Sequence, residues 1–317
     1  MKTIHALPAI ALAAFLVPQS AEATASLDDR ASLSRDVVPD GAAFVLHVDL
    51  QGLFASDLWS AIDASVGLSA ALEDEAGLDD LASTWGIDPF RDVLSVTVVG
   101  DVGGGAAIVR TTDRIDGALD RLRAMPEARV AAHEGLGLEV WTVEDEQVWA
   151  LVLGVEGSSE REIVIGEDAS EVAAVARVML GDAPSIVTAR RPALRAKPNA
   201  GSFVYAEVGP SLLENLAATP ASAFASRARG LALEVRESKG GLNAALRIAT
   251  DSDASSESIA SVVRGAQSLL ELSGVLDEAP DEVMDLLDGL KIVTGERSVT
   301  VDLTIGMDDI RRALRDQ

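Results

Sequence analysis

Histidine is the side chain most suited to moving a proton near neutral pH, and the chain has three, at positions 5, 47 and 133. His47 and Asp49 stand two apart in an apolar run, so a strand would put both on one face. That spacing suits a carboxylate orienting an imidazole, or two ligands of a metal. A hydrolase would use His47 as base and Asp49 as its orienting partner. No third residue stands at a spacing that completes a zinc site. His133 lies beside Glu134 in a polar stretch, Ala131–Gly137, and is expected in a loop facing solvent. Residue types and spacings therefore assign no catalytic residue, no metal ligand and no cofactor-binding residue.

The remaining motifs point the same way. There is no Gly-x-Ser-x-Gly elbow and no Ser-x-x-Lys pair. The serine-rich stretch Ser252–Ser261, after Asp251 and Asp253, suits a helix N-terminus, where such side chains cap free amides. It is not a calcium loop, because Ser256 and Val262 replace the glycine and the acid an EF-hand needs. Gly103-Gly104-Gly105 lies between two apolar runs, with no following Lys-Ser/Thr, and predicts a hairpin turn instead of a phosphate cradle. Glu73-Asp74-Glu75, with Asp79 and Asp80, could gather a divalent cation in an adhesion module, although such runs are ordinarily solvated faces.

Composition narrows the class. The chain of 317 residues holds 51 acidic and 26 basic residues, a formal net charge of −25. That field repels phosphate backbones and anionic headgroups, which argues against nucleic acid and membrane surfaces as partners. Aromatic residues make up 3%, with all four tryptophans in the first half, so stacking platforms for bases or sugars are poorly supplied. There is no cysteine, which excludes disulfides, thiolate chemistry and a lipidated cysteine. Residues 1–23 have the layout of a secretory signal: Lys2, an apolar run Ala6–Val17, and a small-x-small exit at Ala21-Glu22-Ala23. No other segment approaches the roughly 18 apolar residues of a membrane span. The expectation is export to periplasm or beyond, without stable membrane insertion and without a cofactor.

A phrase recurs along the chain. Pro39-Asp40-Gly41-Ala42-Ala43-Phe44-Val45 returns as Pro198-Asn199-Ala200-Gly201-Ser202-Phe203-Val204, at an offset of 159 between the phenylalanines. Each copy precedes a short apolar helix (Leu53–Val66, Leu212–Ala218) and a hairpin (Val93–Arg110, Leu231–Ile248). Longer helices follow at Asp113–Met125 and Ser255–Leu272. A further hairpin is expected to close each half: Leu138–Val143 with Val148–Leu153, and Leu290–Thr294 with Val299–Ile305. The first is followed by a strand Ile163–Ile165 and a helix at about Ala169–Leu180, the second by a helix from Asp308. The reading is an internally duplicated α+β fold, mostly antiparallel sheets with helices packed on one face. Its parts are a signal over 1–23, a flexible leader over 24–36, and α+β halves over 37–190 and 191–317. The boundary is placed in Ala183–Lys197.

Pro39 to Asp49, followed by Trp85-Gly86-Ile87-Asp88-Pro89-Phe90-Arg91-Asp92 leading into the strand Val93–Val99, resembles uncharacterised exported bacterial proteins, domains of unknown function. The resemblance covers residues 37–110. It implies an exported α+β protein without known chemistry and supplies no site residues. The functional expectation is a non-enzymatic binding or structural protein of the bacterial envelope, with a protein or small ligand as partner.

Overall fold

The computed structural model describes residues 33–66, 85–124, 128–133, 138–143, 146–155, 158–190, 193–216, 227–238, 240–272 and 289–315. Its centre is an antiparallel sheet of 12 strands. In chain order these are β1 (Phe44–Asp49), β2 (Val93–Asp101), β3 (Gly104–Thr112), β4 (Ala128–His133), β5 (Leu138–Val143) and β6 (Glu146–Gly154). They continue with β7 (Glu160–Gly166), β8 (Ser202–Val208), β9 (Ala228–Ser238), β10 (Gly241–Thr250), β11 (Leu290–Gly295) and β12 (Ser298–Gly306). Across the sheet the order is β11-β12-β10-β9-β8-β1-β2-β3-β7-β6-β5-β4. The two Phe-Val phrases thus form the central pair, β8 and β1, and the halves share one continuous sheet.

The pairing register makes that centre symmetric. Leu46 faces Ala206 and His47 faces Tyr205. An offset of 159 turns Leu46 into Tyr205 and His47 into Ala206, so the local two-fold passes between these rungs. On either side the order repeats. The hairpin β2–β3 matches β9–β10, and the last strand of each half, β7 or β12, returns beside it. The closing hairpins that correspond are therefore β6–β7 and β11–β12. The expected match of β5–β6 with β11–β12 is off by one strand, and β4–β5 is an added pair at the first half's edge. Ile163–Ile165, expected as a strand, lies within β7, and His133 ends β4 opposite Leu138 instead of lying in a loop.

Helices are α1 (Leu50–Phe54), α2 (Asp57–Val66), α3 (Pro89–Asp92), α4 (Ile115–Ala124), α5 (Ala169–Met179), α6 (Pro210–Leu216), α7 (Asp253–Leu272) and α8 (Met307–Arg315). The single helix expected over Leu53–Val66 is broken at Ser56. Its hydroxyl accepts from the Trp59 amide at 3.0 Å and so starts α2. One sheet face is covered in the first half by α4, whose Ile115, Ala118 and Leu119 meet Val93, Val96 and Val109. In the second half Ile259 and Ala260 of α7 and Leu213 of α6 meet Ile248 and Val299 on that same face. Ser252 caps α7 by accepting from the Ser255 amide at 3.2 Å, in line with the serine-rich helix start.

Helix α5 lies on the other face of the first half. Its Val172, Val175 and Ala176 pack on Val45, Val99, Ile108 and Val164, residues that alternate with those under α4. The central strands are apolar on both sides, so both sides need cover. Leu33, Val37 and Val38 belong to this layer, so the stretch read as a leader over 24–36 already packs from Leu33 onward. So do Ile186, Leu194 and Ala196 of the segment expected to divide the halves.

Phe44 fixes where β1 meets the β2–β3 hairpin. It faces Gly100, which faces Gly105, and a side chain on Gly100 would come within 2.9 Å of the Phe44 ring, 2.7 Å of Gly105 Cα, and against the Gly104 carbonyl. Gly100→Ala should cost about 1–3 kcal/mol by overpacking. Gly117 on α4 has open space where a side-chain carbon would stand. Gly117→Ala should instead give about 0.5–1 kcal/mol of added stability. Urea unfolding of the two variants against the parent checks both signs.

Candidate functional site

His47 and Asp49 lie in β1, between β2 and β8, and are 2% and 0% exposed. The His47 Nδ1 is 2.8 Å from Thr97 Oγ1 on the neighbouring strand. One oxygen of Asp49 accepts the Gly52 amide at 2.8 Å, making it the N-cap of α1. Beside His47 is a cavity of about 10 Å³ lined by Ser34, Ser95, Thr97, Arg110 and Glu162, among others. That is room for about one water and for no larger substrate. The strand therefore brings the two residues together as expected, but in an enclosed place.

Around this cavity the polar groups are paired across strands. Arg110 donates from Nε and Nη2 to Glu160 Oε2, at 2.6 and 2.5 Å. Glu162 faces Arg110 in the β3–β7 register. Burial raises its carboxyl above the ordinary value, against an opposing pull from Arg110; the nearby Asp36 and Glu160 charges raise it further. Its protonated form is thus the one the fold prefers. Stability from Glu162 is fully present below the ordinary carboxylate pKa and is lost as pH rises through the raised one.

A second set of acids fastens the segment between the halves. Glu207 accepts the Arg195 and Ala196 amides at 2.9 and 2.5 Å and the Tyr205 hydroxyl at 2.7 Å. Tyr205 in turn accepts the Lys197 amide at 3.2 Å. Burial, and then the Glu207 charge, raise the phenol far above its ordinary value. Glu234 accepts from the Asn199 amide and side chain, at 3.2 and 2.8 Å, and from the Ser202 hydroxyl at 2.5 Å. These ties accompany Ala196 in the left-handed region, at φ 40°. No sequence motif marked Tyr205, Glu207 or Glu234; apart from the Tyr205–Glu207 bond, their partners are 8 to 35 positions away.

The larger concavity is elsewhere. A cleft of about 590 Å³ lies where α5 ends, lined by Asp36, Val178, Met179, Asp182, Pro184 and Thr188, among others. Asp36 and Asp182 are exposed, and among the described residues neither is in an ion pair. The acidic run Glu73–Asp80 lies outside the described residues. Among the described residues, no three side chains gather as a metal site, and no helix is long and apolar enough to cross a membrane.

No protein-family model matches the chain, and no curated protein matches its sequence. Among solved structures, TP0453 in crystal form I is similar over 90% of this chain and 98% of that one, at 11% identity and a TM-score of 0.42. Crystal form III of TP0453 gives 91% and 100%, at 12% identity and a TM-score of 0.44.

Three variants test these structural roles. His47→Ala should cost about 2–4 kcal/mol, for lost packing and an orphaned Thr97 hydroxyl. Asp49→Ala should cost about 1–2 kcal/mol as a lost cap. Glu162→Gln should raise the thermal midpoint at pH 7, and the gain should vanish as pH falls to about 4, below both carboxyl values. A midpoint series across that window reads the sign.

Proposed function

We propose that the chain is an exported, non-enzymatic binding or structural protein of the bacterial envelope, working through its surface. The observation that carries this reading is the placement of His47 and Asp49. The one His-x-Asp pair suited to hydrolysis is enclosed in the middle of a sheet, with bonds to Thr97 and to the start of α1. A cavity of about 10 Å³ beside it holds no substrate larger than water. The first 23 residues supply the address, and the charge of −25 favours partners that are neutral or cationic.

The sheet supports the same reading. The first half is covered on both faces, whereas Arg247, Lys291 and Val293 of the second half are exposed on the side away from α6 and α7. A rigid strand array with one polar side to solvent is suited to presenting a surface. Its partner is a protein or a small ligand.

Fusing residues 1–23 to a phosphatase that is active only outside the cytoplasm should give active reporter, and inactivity would remove the export claim. Purified mature chain, offered chromogenic esters, phosphoesters and peptides, should show no turnover that His47→Gln abolishes. Turnover dependent on His47 would replace this reading with a hydrolase. Calcium against chelator should leave the thermal midpoint unchanged, and a calcium-dependent rise would favour a cation-binding adhesion module.

A further inference from the structure

We propose that the cleft at the end of α5 binds a basic peptide segment, taking an arginine or lysine side chain between Asp36 and Asp182 and an aliphatic neighbour against its apolar wall. This rests on reading the chain as a binding protein and names the chemistry of its ligand. At about 590 Å³ the cleft is in the range that holds a ligand of several side chains. Its two carboxylates come from separate elements, Asp36 from the turn before β1 and Asp182 from the loop after α5. The bond found for Asp36 is from the Ser34 hydroxyl, at 2.8 Å. Among the described residues, no basic side chain lines the cleft.

Besides the two acids, the lining is mostly apolar. Of its apolar lining residues, Val178 is buried, Met179 half-buried and Pro184 exposed. Sequence neighbours of the lining residues Met179 and Thr188 are apolar and exposed. Leu180 is 48% exposed and Val187 53%, two of the six large apolar side chains most exposed among the described residues. A lone amine would use the acids and leave this surface wet; a peptide with alternating basic and aliphatic residues covers both. The net charge of −25 draws cationic segments from a distance and repels acidic ones.

Fluorescence anisotropy with a labelled Leu-Arg-Leu-Arg-Leu peptide at physiological salt tests this on the mature chain. The Asp36→Asn, Asp182→Asn double variant should bind at least tenfold more weakly, and Leu180→Ser with Val187→Ser several-fold more weakly. A charge-matched control, Glu296→Gln with Asp308→Asn, removes exposed acids far along the chain and should change affinity less than twofold. A Leu-Glu-Leu-Glu-Leu peptide should not bind. Equal losses in the cleft and control variants would mean that the general field binds the peptide, which overturns the proposal, as would no binding by the parent at millimolar peptide. Either failure leaves the broader reading standing, because that reading falls instead on His47-dependent turnover.

Discussion

The pairing of β1 with β8 is the contact on which the rest of the molecule depends. Five rungs, from Phe44 opposite Val208 to Val48 opposite Val204, turn two sets of strands into one sheet. Unpaired, each would present a bare apolar strand as its edge, an invitation to misassembly. Other contacts reinforce the join without replacing it. Helix α8 of the second half packs on α2 of the first. The Gly209 amide donates to the Ala43 carbonyl at 2.7 Å, and Glu237 accepts the Leu58 amide at 3.1 Å.

A strand at the middle of such a sheet has cover on both faces and neighbours on both edges, so any polar side chain in it must find partners within the protein. That constraint accounts for the bonds of His47 to Thr97 and of Asp49 to the Gly52 amide. It also accounts for the acids beyond them. Glu207 and Glu234 gather the amides of a segment that belongs to no strand or helix, and so hold the passage between the halves against the sheet. Other acids remain exposed at the surface. Asp36 and Asp182, beside the large cleft at the end of α5, are such groups.

Much of this was legible in the chain. The Phe-Val phrase located the two central strands, and the order of hairpin, helix and hairpin marked the repeat. Alternation of Val299, Val301, Leu303 and Ile305 was enough to place β12. What local pattern could not show was pairing at a distance. Ile163–Ile165 reads as a strand, but nothing local names β3 and β6 as its neighbours, so the match of the closing hairpins falls one strand out. Strand β4, Ala128–His133, has little apolar alternation and reads as a loop. The face taken by α5 follows from strands apolar on both sides, which periodicity records as a continuous run without saying what covers it. The cleft joins Asp36 to Asp182, and no spacing in sequence relates them.

The tryptophans offer a direct test of the shared sheet. Trp59, Trp85, Trp141 and Trp149 all lie in the first half, so their fluorescence reports that half, whereas far-ultraviolet circular dichroism reports strands of both. Urea unfolding followed by the two signals should give a single transition with coincident midpoints, as one cooperative unit requires. A dichroism curve in two steps, with the tryptophan transition matching only one of them, would contradict a sheet held together through β1 and β8.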